Sequence, residues 1–212
     1  MKLLSINASL PVTVHNRGKN ISTGIYKEPV DGPVTVRTLN IDGDQQVDLK
    51  NHGGEFKAVY AYSYDHYPYW EASLDIGKMP MGQFGENLTI SALDESKSCI
   101  GDQLKIGSAI FVITQPRVPC FKLGIRFDNP DMPRMFIKSG YTGFYLKVLE
   151  EGIIEAGDEV RVIGHSDTGV KVRELFEAYY NFDPALSHSI FESALAVPEL
   201  SPEWRKKIEA RC

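Results

Sequence analysis

IGDQLKIGSAIFVITQP, residues 100–116, opens with a turn and then alternates like a strand. Gly101-Asp102 is a turn signal, and from Gln103 to Ile106 polar and apolar residues alternate. A period of two sends successive side chains to opposite faces, as in a half-buried strand. The run that follows is rich in β-branched and aromatic residues, which suits another strand. The pattern returns as AGDEVRVIG at 156–164, again a Gly-Asp turn followed by alternation. The recurrence predicts a turn-strand unit of a closed β-barrel rather than a solenoid repeat.

Similar short runs, cut by Gly, Pro, Asp and Asn, stand at VTVRTLNIDGD (34–44), KAVYAYS (57–63) and GFYLKVLE (143–150). The start, MKLLSINASLPVTVHN, has a brief apolar stretch without the h-region and small-residue cleavage site of a signal peptide, and reads as a first strand. Two helices interrupt the pattern. SYDHYPYWEASLDIG (63–77) runs from a Ser start to a Gly stop, and NPDMPRMFIKSG (129–140) ends at Gly140. Beyond about residue 166 the apolar spacing becomes helical in TGVKVRELFEAYYN, ALSHSIFESALAVP and SPEWRKKIEARC. Asp183-Pro184 and Ser201-Pro202 are helix starts, because proline is tolerated in a first turn. The expected architecture is mainly β: a distorted closed barrel over 1–165 and a small three-helix extension over 166–212. Helices this short bury too little surface alone, so the extension should pack on the barrel.

A net charge of −5 and a pI near 5.6 leave no electrostatic footprint for general nucleic-acid binding. The basic residues Arg205, Lys206 and Lys207 stand beside Glu203 and Glu209, the composition of a solvated helix face. No run reaches the roughly 18 apolar residues that span a bilayer. The cysteines Cys99, Cys120 and Cys212 are odd in number and lack CxxC spacing, which argues for thiols in a reducing cytoplasm.

Four stretches carry possible chemistry. In QPRVPCFKLG (115–124), Pro116 and Pro119 stiffen the chain around Cys120, and Arg117 and Lys122 would favour its thiolate. A buried, inert turn cysteine has the same composition. In NHGG (51–54), Gly53 and Gly54 after His52 permit close backbone approach to a ligand, or form a plain surface turn. In FGENLTI (84–90), Asn87 both donates and accepts hydrogen bonds; read alone, the stretch is a turn leading into a strand with Glu86 in solvent. ISTGIYK (21–27) places Ser22, Thr23 and Lys27 near a glycine, as phosphate sites do, without a P-loop pattern. HExxH, GxSxG and GxGxxG are absent, so zinc proteases, α/β-hydrolases and dinucleotide folds receive no support. Cys99 reads as structural and Cys212 as incidental.

Taken in order, STGIYK, IDGDQQVD, the HGG of NHGG, GENL, GDQLKIG and QPRVPCFKL resemble the MOSC domain family. The helical tail matches the small extension that some members carry. The resemblance implies a pterin-based molybdenum cofactor and links to the C-terminal domain of molybdenum cofactor sulfurases and to amidoxime-reducing enzymes. It implies Cys120 as the thiolate ligand to molybdenum, with His52 and Lys27 beside it as catalytic groups. Arg117, Lys122, Asn87, Gly53 and Gly54 would hold the cofactor, and Ser22, Thr23, Asp44 and Gln115 are carried over with them. The implied activity is reduction of small N-hydroxylated compounds such as hydroxylaminopurines, with electrons from a separate reductase and neither nucleic acid nor membrane involved. Two other roles use the same residues: a sulfurtransferase with a Cys120 persulfide, and a carrier that delivers the cofactor without catalysis.

Overall fold

The two Gly-Asp repeats face one another. Gln103–Ile106 and Val160–Gly164 pair antiparallel, with Ile106 opposite Val160 and Leu104 opposite Val162. The aspartates perform the same local task in both. Asp102 accepts from the Cys99 backbone N–H at 2.9 Å, and Asp158 accepts from that of Glu155 at 2.8 Å. Each carboxylate thus closes its turn by taking the amide three residues earlier.

The computed structural model describes residues 1–47, 53–181 and 183–211; His52 and Cys212 lie outside them. The strands are β1 (Lys2–Ala8), β2 (Val12–Asn16), β3 (Lys19–Thr23), β4 (Glu28–Pro29), β5 (Val34–Val36) and β6 (Val59–Ser63). They continue as β7 (Leu88–Ser91), β8 (Gln103–Ile106), β9 (Ala109–Pro116), β10 (Phe144–Glu150), β11 (Gly152–Ile154) and β12 (Val160–Gly164). The helices are α1 (Tyr67–Leu74), α2 (Phe121–Arg126), α3 (Met132–Ser139), α4 (Val172–Tyr180), α5 (Pro184–Leu195) and α6 (Pro202–Glu209). No described helix is long and apolar enough to cross a membrane.

One sheet dominates, in the order β12-β8-β9-β10-β6-β7-β1-β4. Its pairs are antiparallel except β6 with β7, which run parallel on either side of α1. The small sheets β11-β5 and β2-β3 complete the strands. The expected closed barrel does not form as a continuous ring among the described residues. The reason lies in β1, whose second edge is divided. Its end pairs with β4 through Asn7 and Ala8, while its start meets residues 157–160 through a bridge at Lys2 opposite Glu159 and backbone hydrogen bonds from Gly157 N–H to Leu3 O and Val160 N–H to Met1 O. Leu3 N–H donates to Asp158 O, which draws the two regions together without a ladder.

Apolar side chains from α4, α5 and α6, among them Leu175, Phe191, Trp204 and Ile208, share one buried cluster with Leu3, Phe111 and Leu146 of the sheet. A second cluster is aromatic and includes Tyr60, Tyr62, Tyr67, Trp70, Phe84 and Phe136. Here Tyr62 stacks on Phe84 with centroids 4.4 Å apart, and Trp70 Nε1 donates to the Tyr62 hydroxyl at 2.7 Å. Such offset rings add to the stabilisation from burial alone.

The helix starts follow the sequence signals. The Asp183 carboxylate accepts from Ala185 N–H at 2.9 Å, and the Ser201 hydroxyl accepts from Trp204 N–H at 3.2 Å. Each satisfies an amide that the helix cannot pair internally. Asp183→Ala should therefore cost about 1 kcal/mol of unfolding free energy by urea titration; an unchanged midpoint would show that the cap contributes nothing.

Candidate functional site

Pro116 closes β9, and the chain turns through Arg117, Val118 and Pro119 to Cys120, which sits at the N-cap of α2. The helix that starts here was not foreseen, because FKLGIR is short and contains a glycine. Cys120 is half-buried and, like Cys99, takes part in no disulfide. It lines a cleft of about 680 Å³, part of it open to solvent.

The cleft gathers residues distant in sequence. Thr23 and Lys27 come from the end of β3 and the segment after it, Asp44 from the loop after β5, Asn87 from the turn before β7, and Arg117, Cys120 and Lys122 from the β9–α2 junction. Ser22 is exposed while its neighbour Thr23 is buried, as strand alternation requires. Gln115 is buried within β9 and is not among the lining residues. Gly53 and Gly54 do not line the cleft, and Gly54 is exposed. The proposed catalytic His52 lies outside the described residues.

Lys27 and Asp44 form a buried ion pair, with side chains 8% and 1% exposed. Asp44 also accepts from Ser9 N–H and from Asn87 Nδ2, both at 3.0 Å. A carboxylate held by three donors supports the charge of the lysine that bonds it. Burial nonetheless pulls the Lys27 ammonium below its usual pKa, with Asp44 opposing. Asn87 has little capacity left for a ligand: Nδ2 also donates to Asn7 O at 3.3 Å, and Oδ1 accepts from Tyr60 N–H at 3.1 Å. Its amide acts on the cleft by fixing Asp44.

Arg117 is buried between rings. Its guanidinium carbon lies 5.1 Å from the Tyr60 centroid and 4.9 Å from that of Phe136, in cation–π range. Nη2 donates to Phe84 O at 3.3 Å, whereas Nη1 has no hydrogen-bond partner among the described residues. Neither Arg117 nor Lys122 has a carboxylate partner among them. A buried guanidinium with an unused donor suits an incoming anion.

The expectation of a solvated Glu86 is overturned. Glu86 is fully buried, and its carboxylate accepts from the Tyr67 hydroxyl, Gly82 N–H at 2.9 Å, Phe84 N–H at 3.0 Å and the Thr89 hydroxyl at 2.9 Å. The carboxylate thereby holds the 82–86 turn against the cleft. Gly85 lets that turn approach Ile25 closely: a Cβ there would lie 2.8 Å from Ile25 Cγ1, and φ is +79°. Sequence reading also missed Lys57, Tyr60, Phe84 and Tyr145, all of which line the cleft. KAVYAYS signalled only a strand; its tyrosines do lie in β6, but Lys57 belongs to the short turn Glu55–Lys57 ahead of it.

The family model that matches the chain is the MOSC domain, over residues 48–161. The uncharacterized protein YflK of Bacillus subtilis (strain 168) is 39% identical over 203 residues, which cover 96% of this chain and 90% of that one. A protein of Gibberella moniliformis named a reductase is 36% identical over 149 residues, 69% of this chain but only 26% of the fungal protein. Among solved structures, YiiM from Geobacillus stearothermophilus superposes with a TM-score of 0.82 at 31% identity, covering 99% of this chain and 98% of that one.

Proposed function

The chain belongs to the MOSC domain family and is of the YiiM type, and on that premise we propose that its cleft holds a pterin-type molybdenum cofactor and reduces small N-hydroxylated compounds. The observation that carries this reading is the setting of Cys120: one thiol beside Arg117 and Lys122, two cations with no carboxylate partner among the described residues. The donor set fits the group. A metal that arrives chelated by a dithiolene needs one soft protein ligand rather than a cage, and a thiolate supplies it. The unused Nη1 of Arg117 fits an anionic oxygen of the cofactor's phosphate.

Bound there, the cofactor would supply two-electron transfer to the N–O bond. The reaction takes the N–OH compound, two electrons and two protons to the N–H compound and water. Lys27 Nζ is the described group suited to hand over a proton, since burial lowers its hold on that proton and Lys27 lines the cleft with Asp44. His52 is the second such group proposed. Cys120 holds the metal, Arg117 and Lys122 hold the phosphate, and Tyr60 and Phe84 keep water from the cleft wall. Thr23 lines the same cleft and completes the polar edge near Lys27. The electrons come from a separate reductase in the cytoplasm, and neither nucleic acid nor membrane takes part. Residues 1–165 carry the site, and 166–212 form an appendage to it.

The test is conversion of a hydroxylaminopurine to the aminopurine by cofactor-loaded protein with a reducing partner. Product formation supports the reading, and none with loaded wild-type protein sinks it. Arg117→Lys keeps the charge but loses the planar fork, so it should retain about tenfold less pterin after purification, a loss of about 1.4 kcal/mol. Equal pterin in both would remove Arg117 from the phosphate site.

A further inference from the structure

Lys57 brings another cation to the cleft, from a residue none of the motifs singled out. It ends the short turn Glu55–Lys57 and lines the cleft with Tyr145, Arg117 and Cys120. Its side chain is only 10% exposed, and Nζ lies 5.9 Å from the Tyr145 ring centroid. Its acidic partner is Glu203, 146 residues away in the first turn of α6. One Glu203 oxygen takes the Lys57 ammonium, and the other takes that of Lys207 at 2.6 Å.

The carboxylate sits on a fixed base. Trp204 and Ile208 of α6 are fully buried, and Ser201 N–H donates to Thr114 O at 3.2 Å. The Thr114 hydroxyl reaches Phe56 O at 2.7 Å and Tyr145 O at 3.0 Å. The residue before Lys57, the strand that leads to Arg117, the backbone of Tyr145 and the start of α6 therefore meet at one point. A lysine side chain loses rotamer freedom when held, so a partner that fixes it in advance favours any anion that must meet it.

We propose that Glu203 is a positioning residue: from the last helix it holds the Lys57 ammonium on the cleft wall as an anion-binding cation beside Arg117 and Lys122. The C-terminal appendage then completes the site rather than merely covering the sheet. The inference rests on the reading of the cleft as the seat of a phosphate-bearing cofactor. Charge alone predicts the opposite sign, since deleting a carboxylate makes the cleft more positive and tightens any anion.

The experiment is titration calorimetry of inorganic pyrophosphate into the full chain, with pterin content after expression in a cofactor-producing host as a second readout. The variants are Lys57→Gln, Glu203→Gln, Glu203→Asp and the double variant Lys57→Gln/Glu203→Gln, with Arg117→Lys as reference. Lys57→Gln and Glu203→Gln should each weaken pyrophosphate about fivefold, Glu203→Asp should recover most of the loss, and the double variant should be no weaker than Lys57→Gln. Pterin retention should follow the same order. Wild-type or tighter binding by Glu203→Gln overturns the inference, as does a Glu203→Gln loss that persists undiminished in the Lys57→Gln background. If wild type binds and only Arg117→Lys weakens, this inference alone falls. If wild type neither binds pyrophosphate nor holds pterin, the cofactor reading falls and takes the inference with it.

Discussion

Glu86→Ala should lower the unfolding free energy by about 3 kcal/mol or more, because it orphans several buried donors at once. The Tyr67 hydroxyl, two backbone amides and the Thr89 hydroxyl all end on this one carboxylate. Burial holds the Tyr67 phenol far above its ordinary pKa, so its proton stays in place to be donated. In a chain of this length about 3 kcal/mol corresponds to a fall in Tm of roughly 6–12 °C. A loss under 1 kcal/mol would show that water satisfies the turn as well as the carboxylate does.

The same residue gives a pH dependence. Burial raises the Glu86 carboxyl above its ordinary value of 4.5, with the hydrogen bonds from Tyr67 and the amides opposing. A carboxyl with a raised folded pKa binds its proton more tightly when folded than when unfolded. Its contribution is therefore full below pH 4.5 and is lost as pH rises through the folded value. Glu86→Gln cannot titrate. The stability of wild type relative to Glu86→Gln should thus decline as pH rises above 4.5 in urea titrations. A gap that stays constant or widens would contradict a carboxyl whose pKa burial raises.

Glu86 also shows where sequence reading stopped. The Gly-Asp turns were legible because each is closed by its own aspartate within three residues. That the two units pair with each other was not, since 50-odd residues separate them and period two fixes a face rather than a neighbour. Thr23 and Ser22 stand side by side in the sequence, although strand alternation sends them to opposite sides. The burial of Glu86 depends on Tyr67 and on amides of its own tight turn, and the polarity of one residue reveals none of these. Lys57 stayed hidden for the same reason, because its partner Glu203 belongs to another element far along the chain. The closed barrel failed on a local fact, the divided edge of β1, which no periodicity encodes. Cys120, Arg117, Lys122, Lys27 and Asn87 do line one cleft, formed from strand ends and turns that their motifs mark.

The largest functional effect falls on Cys120. Cys120→Ala removes the only soft donor among the described lining residues. Its side chain makes no capping bond to α2, so the helix start should survive the change. If the proposed role holds, reduction of N-hydroxylated substrate should fall by about a thousandfold or more, since losing the ligand would remove the electron-transfer centre and not merely one contact. Melting should remain within a few degrees of wild type, which separates a lost ligand from a lost fold. Pterin should fall together with the metal, because the metal arrives chelated by the pterin's dithiolene.

The most direct test is the content of molybdenum and pterin in wild type and Cys120→Ala purified side by side from a cofactor-producing host. The structure and the family reading together predict molybdenum in wild type and less than about a tenth of it in Cys120→Ala. Equal molybdenum in the two proteins would contradict Cys120 as the metal's ligand.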